Sequence, residues 1–234
     1  GCPAEEGGSA KGFMVRAGAF DDVDVALCWH PAAFNGVNRP FSLACVEIEF
    51  TFSGRASHAA AAPHLGRSAL DAVELMHIGG NYMREHMPST ARVHYAIINA
   101  GGIAPNVVQA TATTRQLIRA ATLGEMWELV ARVKKIAEGA ALMSETAVSI
   151  KQLSGDANLI GNRPLEETMQ ANLEALGGPG FDAEDRAFAA RFQETLSAAD
   201  IAASYARFGM QPKEGEALSE EVYPLGAGND TSVG

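Results

Sequence analysis

The stretch 43-LACVEIEFTFS-53 alternates strictly between apolar and polar side chains from Val46 onward. Val46, Ile48, Phe50 and Phe52 fall on one face of an extended chain, and Glu47, Glu49, Thr51 and Ser53 on the other. Successive side chains of a strand point to opposite sides of its sheet, so the pattern predicts a half-buried strand with one face in a core. A turn, Gly54-Arg55-Ala56-Ser57-His58, follows it. Residues 67–87 then carry Leu70, Val73, Leu75, Met76, Ile78, Tyr82 and Met83 at helical spacing until Pro88 stops them. Residues 91–99 and 107–119 read as two further strands around the turn 101-GGIAPN-106, the second favoured by Thr111, Thr113 and Thr114. Residues 122–143 predict a long helix, with Thr122 as N-cap and Glu125 three residues later as a capping box. Residues 145–153 return as a strand. The order β-α-β-β-α-β predicts an α/β fold of ferredoxin-like pattern, four antiparallel strands layered on two helices.

The flanks read differently. Residues 11–20 suggest a short amphipathic helix closed by Gly18. Residues 23–29 turn apolar and predict a buried strand that delivers His30 at its end, stopped by Pro31. Residues 164–176 and 183–208 are amphipathic helical segments separated by 177-GGPG-180. The expected organisation is therefore an inserted unit, residues 42–155, between two parts of a second α/β domain, residues 1–41 and 156–234.

Composition narrows the classes. The 234 residues are 47% hydrophobic and 20% charged, which excludes collagen-like and wholly disordered chains. No apolar run approaches the ~18–20 residues a membrane-spanning helix needs. With 18 basic and 28 acidic residues the net charge is −10, which argues against a nucleic-acid partner. Three cysteines at scattered positions, with no CxxC, fit reduced thiols in a cytoplasmic protein, and no signal peptide is visible.

Chemistry concentrates at a few positions. Glu5 and Glu6 are adjacent carboxylates on a loop framed by Pro3, Gly7 and Gly8, where one could hold a metal and the other deprotonate a bound water. His30 sits where strand ends face ligand crevices. His58 lies in a Gly/Ala-rich turn, from which an imidazole can meet a carboxylate or an oxyanion. Asn106 ends a rigid turn and can present its amide, and Arg119 can clamp a carboxylate through two hydrogen bonds. Taken singly, each also fits a plain structural role: a solvated acidic pair, a structural or exposed His, a turn-forming Asn, a surface Arg.

Their order in one chain is more telling. The strings 1-GCPAEEGG-8, 28-CWHP-31, 52-FSGRASHAAAAPHLGRSALDAV-73 and 101-GGIAPNVVQA-110 resemble the dinuclear-metal amidohydrolase and carboxypeptidase family, which includes aminoacylases, glutamate-releasing carboxypeptidases and auxin-conjugate hydrolases. The resemblance implies Glu5 as general base for a water bridging two divalent metals, Mn or Zn, and Glu6 and His30 as metal ligands. It implies His58 as a lid residue that reaches across a dimer interface to polarise the scissile carbonyl. Asn106 and Arg119 match positions that hold the substrate's carboxylate end. The inserted unit corresponds to the family's lid and dimerisation domain, so a homodimer is expected, with a homologous second subunit as a further partner. The implied reaction is hydrolysis of an N-acyl amino acid, p-aminobenzoyl-glutamate first; an aminoacylase, a dipeptidase or a non-catalytic dimerisation module are the alternatives. The family's N-terminal metal motif and its last His ligand have no counterpart in these residues, and Cys2 stands where relatives carry Thr or Gln. The expectation is a fragment, inactive alone.

Overall fold

The computed structural model describes residues 9–37, 42–206, 210–213 and 215–226. Two compact units separate, one from residues 1–23 and 42–158 and the other from 24–41 and 159–234.

The first unit holds α1 (Ala10–Arg16) and the six expected elements: β1 (Ala44–Ser53), α2 (Ala69–Arg84), β2 (Arg92–Asn99), β3 (Thr111–Ala120), α3 (Leu123–Met143) and β4 (Ala147–Asp156). The sheet is antiparallel throughout, in the order β2-β3-β1-β4. β1 is central, and its predicted apolar face is the core: Val46, Phe50 and Phe52 are wholly buried and Ile48 almost so. Val73 and Met76 of α2, and Met126, Leu129 and Val130 of α3, belong to the same cluster. The opposite face is polar, with Arg115 bonded to Glu49 at 2.6 Å and Thr51 Oγ1 to Thr113 Oγ1 at 3.0 Å.

In the first unit the helix starts follow the sequence with one correction. Ser68 and Thr122 cap α2 and α3, accepting from the amides of Asp71 and Glu125 at 3.1 and 3.3 Å. The capping box expected at Thr122 is only half made, because Glu125 Oε2 is buried without a hydrogen-bond partner. A complete box opens α5 (Ala183–Gln193) instead, between Asp182 and Asp185.

His77 of α2 is buried between layers. Its Nε2 lies 2.7 Å from Thr114 Oγ1, whose proton goes to Ala96 O, and its ring stacks on Tyr95 with centroids 3.7 Å apart. Burial, helped by the nearby Arg84 charge, holds this imidazole below its ordinary pKa of 6.5. The folded state therefore resists a proton that the unfolded chain accepts. That contribution is complete above pH ~6.5 and is lost as the pH falls through the folded value. The urea midpoint should drop between pH 7.5 and 5, and His77→Gln should flatten that drop; an unaltered slope would assign it to other groups.

The second unit contains α4 (Arg163–Leu176), α5 and α6 (Ala198–Ala206). Buried Gln170 of α4 ties it together, accepting from Val37 N at 3.3 Å and donating to Tyr223 O at 2.8 Å. The strand expected at residues 23–29 does not form. Val25, Leu27 and Trp29 are 48, 65 and 84% exposed, and none of the described residues pairs alongside them. An apolar run becomes a buried strand only when neighbours satisfy its backbone and cover its side chains. The single helix expected over 183–208 is two, because Ser197 and Asp200 exchange backbone-to-side-chain bonds of 3.1 Å that start α6 afresh. No helix among the described residues is long and apolar enough to cross a membrane.

Candidate functional site

The turn after β1 is built by backbone approach. Gly54 N donates to Ala110 O at 2.7 Å, and a Cβ on Gly54 would collide with the Arg67 carbonyl. Beyond it, residues 106–108 bond through their backbone to this turn rather than extending β3. Ala59 N donates to Asn106 O at 2.9 Å, Val108 N to Ser57 O at 3.0 Å, and His58 pairs with Val107. This is why β3 starts at Thr111 and not at 107. His58 and Asn106, far apart in sequence, are thereby laced together at one end of the sheet, both solvent-exposed.

The His58 ring is oriented by its own turn. Its Nδ1 accepts from Ala60 N at 3.3 Å and Ala61 N at 3.1 Å. An Nδ1 that accepts puts the neutral ring's proton on Nε2, so His58 is a donor at Nε2 without needing a positive charge. The ring is thus preset to donate to a carbonyl oxygen.

Arg119 lies at the other end of the same sheet. It is eight strand residues beyond Thr111, or roughly 27 Å at the ~3.4 Å rise of an antiparallel strand. There it faces Cys45 on β1 and Arg92 on β2. One chain brings His58 and Asn106 together and keeps Arg119 apart from both. Sequence reasoning missed Arg92, because only the strand register places it beside Arg119.

His30, in the second unit, is exposed and not at a strand end. Its Nδ1 donates to Pro31 O at 2.8 Å, since a carbonyl can only accept. That leaves Nε2 as the lone pair, the tautomer found when a histidine binds metal and is held by a backbone carbonyl. Glu5 and Glu6 lie outside the described residues. Among those described, no three His, Cys, Asp or Glu side chains converge as a metal cluster.

A family model described as a peptidase dimerisation domain matches residues 41–144. The dimerisation domain so matched comprises β1 to α3, and β4 lies just past its end to complete the sheet. The chain is 52% identical over 200 residues to a subunit of the p-aminobenzoyl-glutamate hydrolase of Escherichia coli K12, covering 86% of this chain and 42% of that protein. It is 34% identical over 178 residues to the Xaa-Arg dipeptidase of Mus musculus, covering 76% of this chain and 41% of that one. The crystal structure of an aminobenzoyl-glutamate utilization protein from Klebsiella pneumoniae matches with a TM-score of 0.58 at 25% identity, over 71% of this chain and 43% of that one. The chain thus spans about two fifths of the length of the curated relatives it matches.

Proposed function

We propose that this chain is the lid and part of the catalytic domain of a metal-dependent amidohydrolase that splits p-aminobenzoyl-glutamate into p-aminobenzoate and glutamate. Residues 42–155 are the lid, and residues 1–41 and 156–234 are portions of the catalytic domain. The observation that carries the reading is the His58 ring, locked by two backbone amides into the tautomer that donates from Nε2. The same two bonds brace the turn, and they leave Nε2 of an exposed ring as a donor for a carbonyl oxygen.

In this reading Glu5 takes the proton of the attacking water and returns it to the leaving nitrogen. His58 donates to the scissile carbonyl oxygen, and Asn106 and Arg119 hold the carboxylate end of the substrate. Glu6 and His30 hold metal, which the free Nε2 lone pair of His30 supports. Two divalent ions, Mn or Zn, supply Lewis-acid activation of water and carbonyl. The choice of an acyl-glutamate over a dipeptide rests on the higher identity to the aminobenzoyl-glutamate hydrolase than to the dipeptidase. The scattered cysteines, two of them free thiols at Cys28 and Cys45, suit a cytoplasmic site of action. The test is release of p-aminobenzoate from p-aminobenzoyl-glutamate by the full-length protein supplied with Mn or Zn. No release with either metal overturns the assignment.

The separation of His58 from Arg119 favours a substrate held between two copies, one contributing His58 and Asn106 and the other Arg119. The sheet has an edge suited to that pairing. β2 carries exposed Tyr95, Ile97 and Ile98 and neither Lys nor Pro, whereas the opposite edge, β4, carries Lys151; each edge has one register shift, beside Ile97 and beside Glu47. Edges that must stay single are normally guarded by charge, proline or irregularity. Replacing Ile97 and Ile98 by Lys should convert the dimer to monomer in sedimentation analysis and abolish turnover. A dimer that survives both substitutions places the interface elsewhere.

A further inference from the structure

The open face of the four-stranded sheet carries a charge arrangement that folding does not explain. Arg92 of β2 and Arg119 of β3 are direct cross-strand partners, half-buried on the face away from α2 and α3. Directly opposite side chains in an antiparallel pair sit ~4.5–5.5 Å apart at Cβ, and like charges there are destabilising. Elsewhere on this face an arginine is compensated: Arg115 meets Glu49 at 2.6 Å and Glu47 at 3.8 Å. The Arg119 side chain forms no hydrogen bond or ion pair among the described residues. Its neighbour on β1 is Cys45, and the row ends at Asp156, whose Oδ2 accepts from Ser9 Oγ at 2.8 Å. Arg92 spends Nη1 on the carbonyls of Ser89 and Ala91, which steadies its guanidinium and leaves Nε and Nη2 for another acceptor. Two adjacent cations, one anchored and one unspent, have no ion-pair partner among the described residues, and the carboxylates of Asp156 and Glu47 share the Cys45 side of Arg119 without pairing with it.

We propose that Arg92 and Arg119 form a paired clamp for a dicarboxylic amino acid, with Arg92 binding the side-chain carboxylate. The assignment rests on the acyl-glutamate reading, in which Arg119 takes the carboxylate common to every N-acyl amino acid, and adds the residue that selects glutamate. One guanidinium pairs fully with one carboxylate. A second carboxylate beside it needs its own cation, and a substrate lacking that group leaves Arg92 unpaired against Arg119. A site built to bond a polar group rejects the analogue without it.

The test compares kcat/KM of the full-length protein for p-aminobenzoyl-glutamate and p-aminobenzoyl-norvaline, which lacks the side-chain carboxylate. In R92Q the preference for the glutamate substrate should fall roughly 10- to 100-fold through KM, as expected for lost hydrogen bonds to a charged group. R92K keeps the charge and loses the fork, so it should retain part of the preference. Equal losses on both substrates, or an unchanged ratio, overturn the clamp. Calorimetric titration of the full-length protein with glutarate and butyrate reads the same clamp without turnover. Wild type should prefer glutarate, and R92Q, with a melting midpoint no lower than wild type, should lose that preference. Equal affinities for the two acids overturn the clamp. Glutarate selectivity in a protein that cleaves no acyl-glutamate instead overturns the proposed reaction and leaves the clamp standing.

Discussion

Two inactive variants should restore each other. Full-length protein with His58→Ala is expected to turn over roughly 100- to 1000-fold more slowly than wild type, the loss that follows removal of one oxyanion donor. Glu5→Gln should be inactive yet still bind added Mn or Zn, because an amide cannot take the water's proton but has nearly the same size and shape as the carboxylate. Mixed and allowed to exchange subunits, the two should regain about a quarter of the wild-type rate. Random exchange makes half the dimers mixed. Within each mixed dimer one site pairs the intact Glu5 of the His58→Ala chain with the intact His58 of the other. The second site lacks both groups. The physical ground is the ~27 Å strand length that keeps the His58 turn from Arg119 within one chain. A mixture no faster than its components would mean that His58 acts within its own subunit, and the cross-dimer role would fail. His58→Gln tests the donor separately: it should recover part of kcat, since the amide can still donate, whereas His58→Ala cannot.

How much of this is legible before folding differs by region, for physical reasons. β1 can be read residue by residue because one side of it is buried, and a one-residue slip would put Phe50 in water and Glu49 in the core. Ser57-His58 and Asn106 are visible as turn residues. Their meeting is not, because it depends on the backbone bonds from Ala59 to Asn106 and from Val108 to Ser57, which no local pattern encodes. The same bonds explain why the third strand begins four residues later than its sequence pattern suggests. Arg92 carries no signal, since its significance is the register that sets it against Arg119. The run 23–29 misleads because apolar composition describes what a segment can bury, and burial also requires partners. The His30 ring is oriented by its bond to Pro31 O without help from a strand.

Phe50→Ala should be the most damaging single truncation in the first unit, costing about 3–5 kcal/mol against a typical domain stability of about 5–15 kcal/mol. Phe50 is wholly buried on the central strand, where β1 pairs it with Thr114 on one side and Ile150 on the other. Neighbours hydrogen-bonded on both flanks cannot collapse into the space, so the lost transfer free energy is joined by a cavity term. Phe50→Leu keeps most of the volume and should cost less than about 1.5 kcal/mol. Thr51→Ala, one residue along, should cost only about 1 kcal/mol, because it deletes one half-buried bond to Thr113 on the open face. Urea unfolding followed by circular dichroism separates the three. A Phe50→Ala loss no larger than that of Thr51→Ala would remove β1 from the centre of the core. The ranking also bears on the site, because the His58 turn hangs from the end of β1 through Gly54. A chain that keeps its helices but loses β1 packing should lose the His58–Asn106 pairing with it, and with that pairing the donor its proposed chemistry requires.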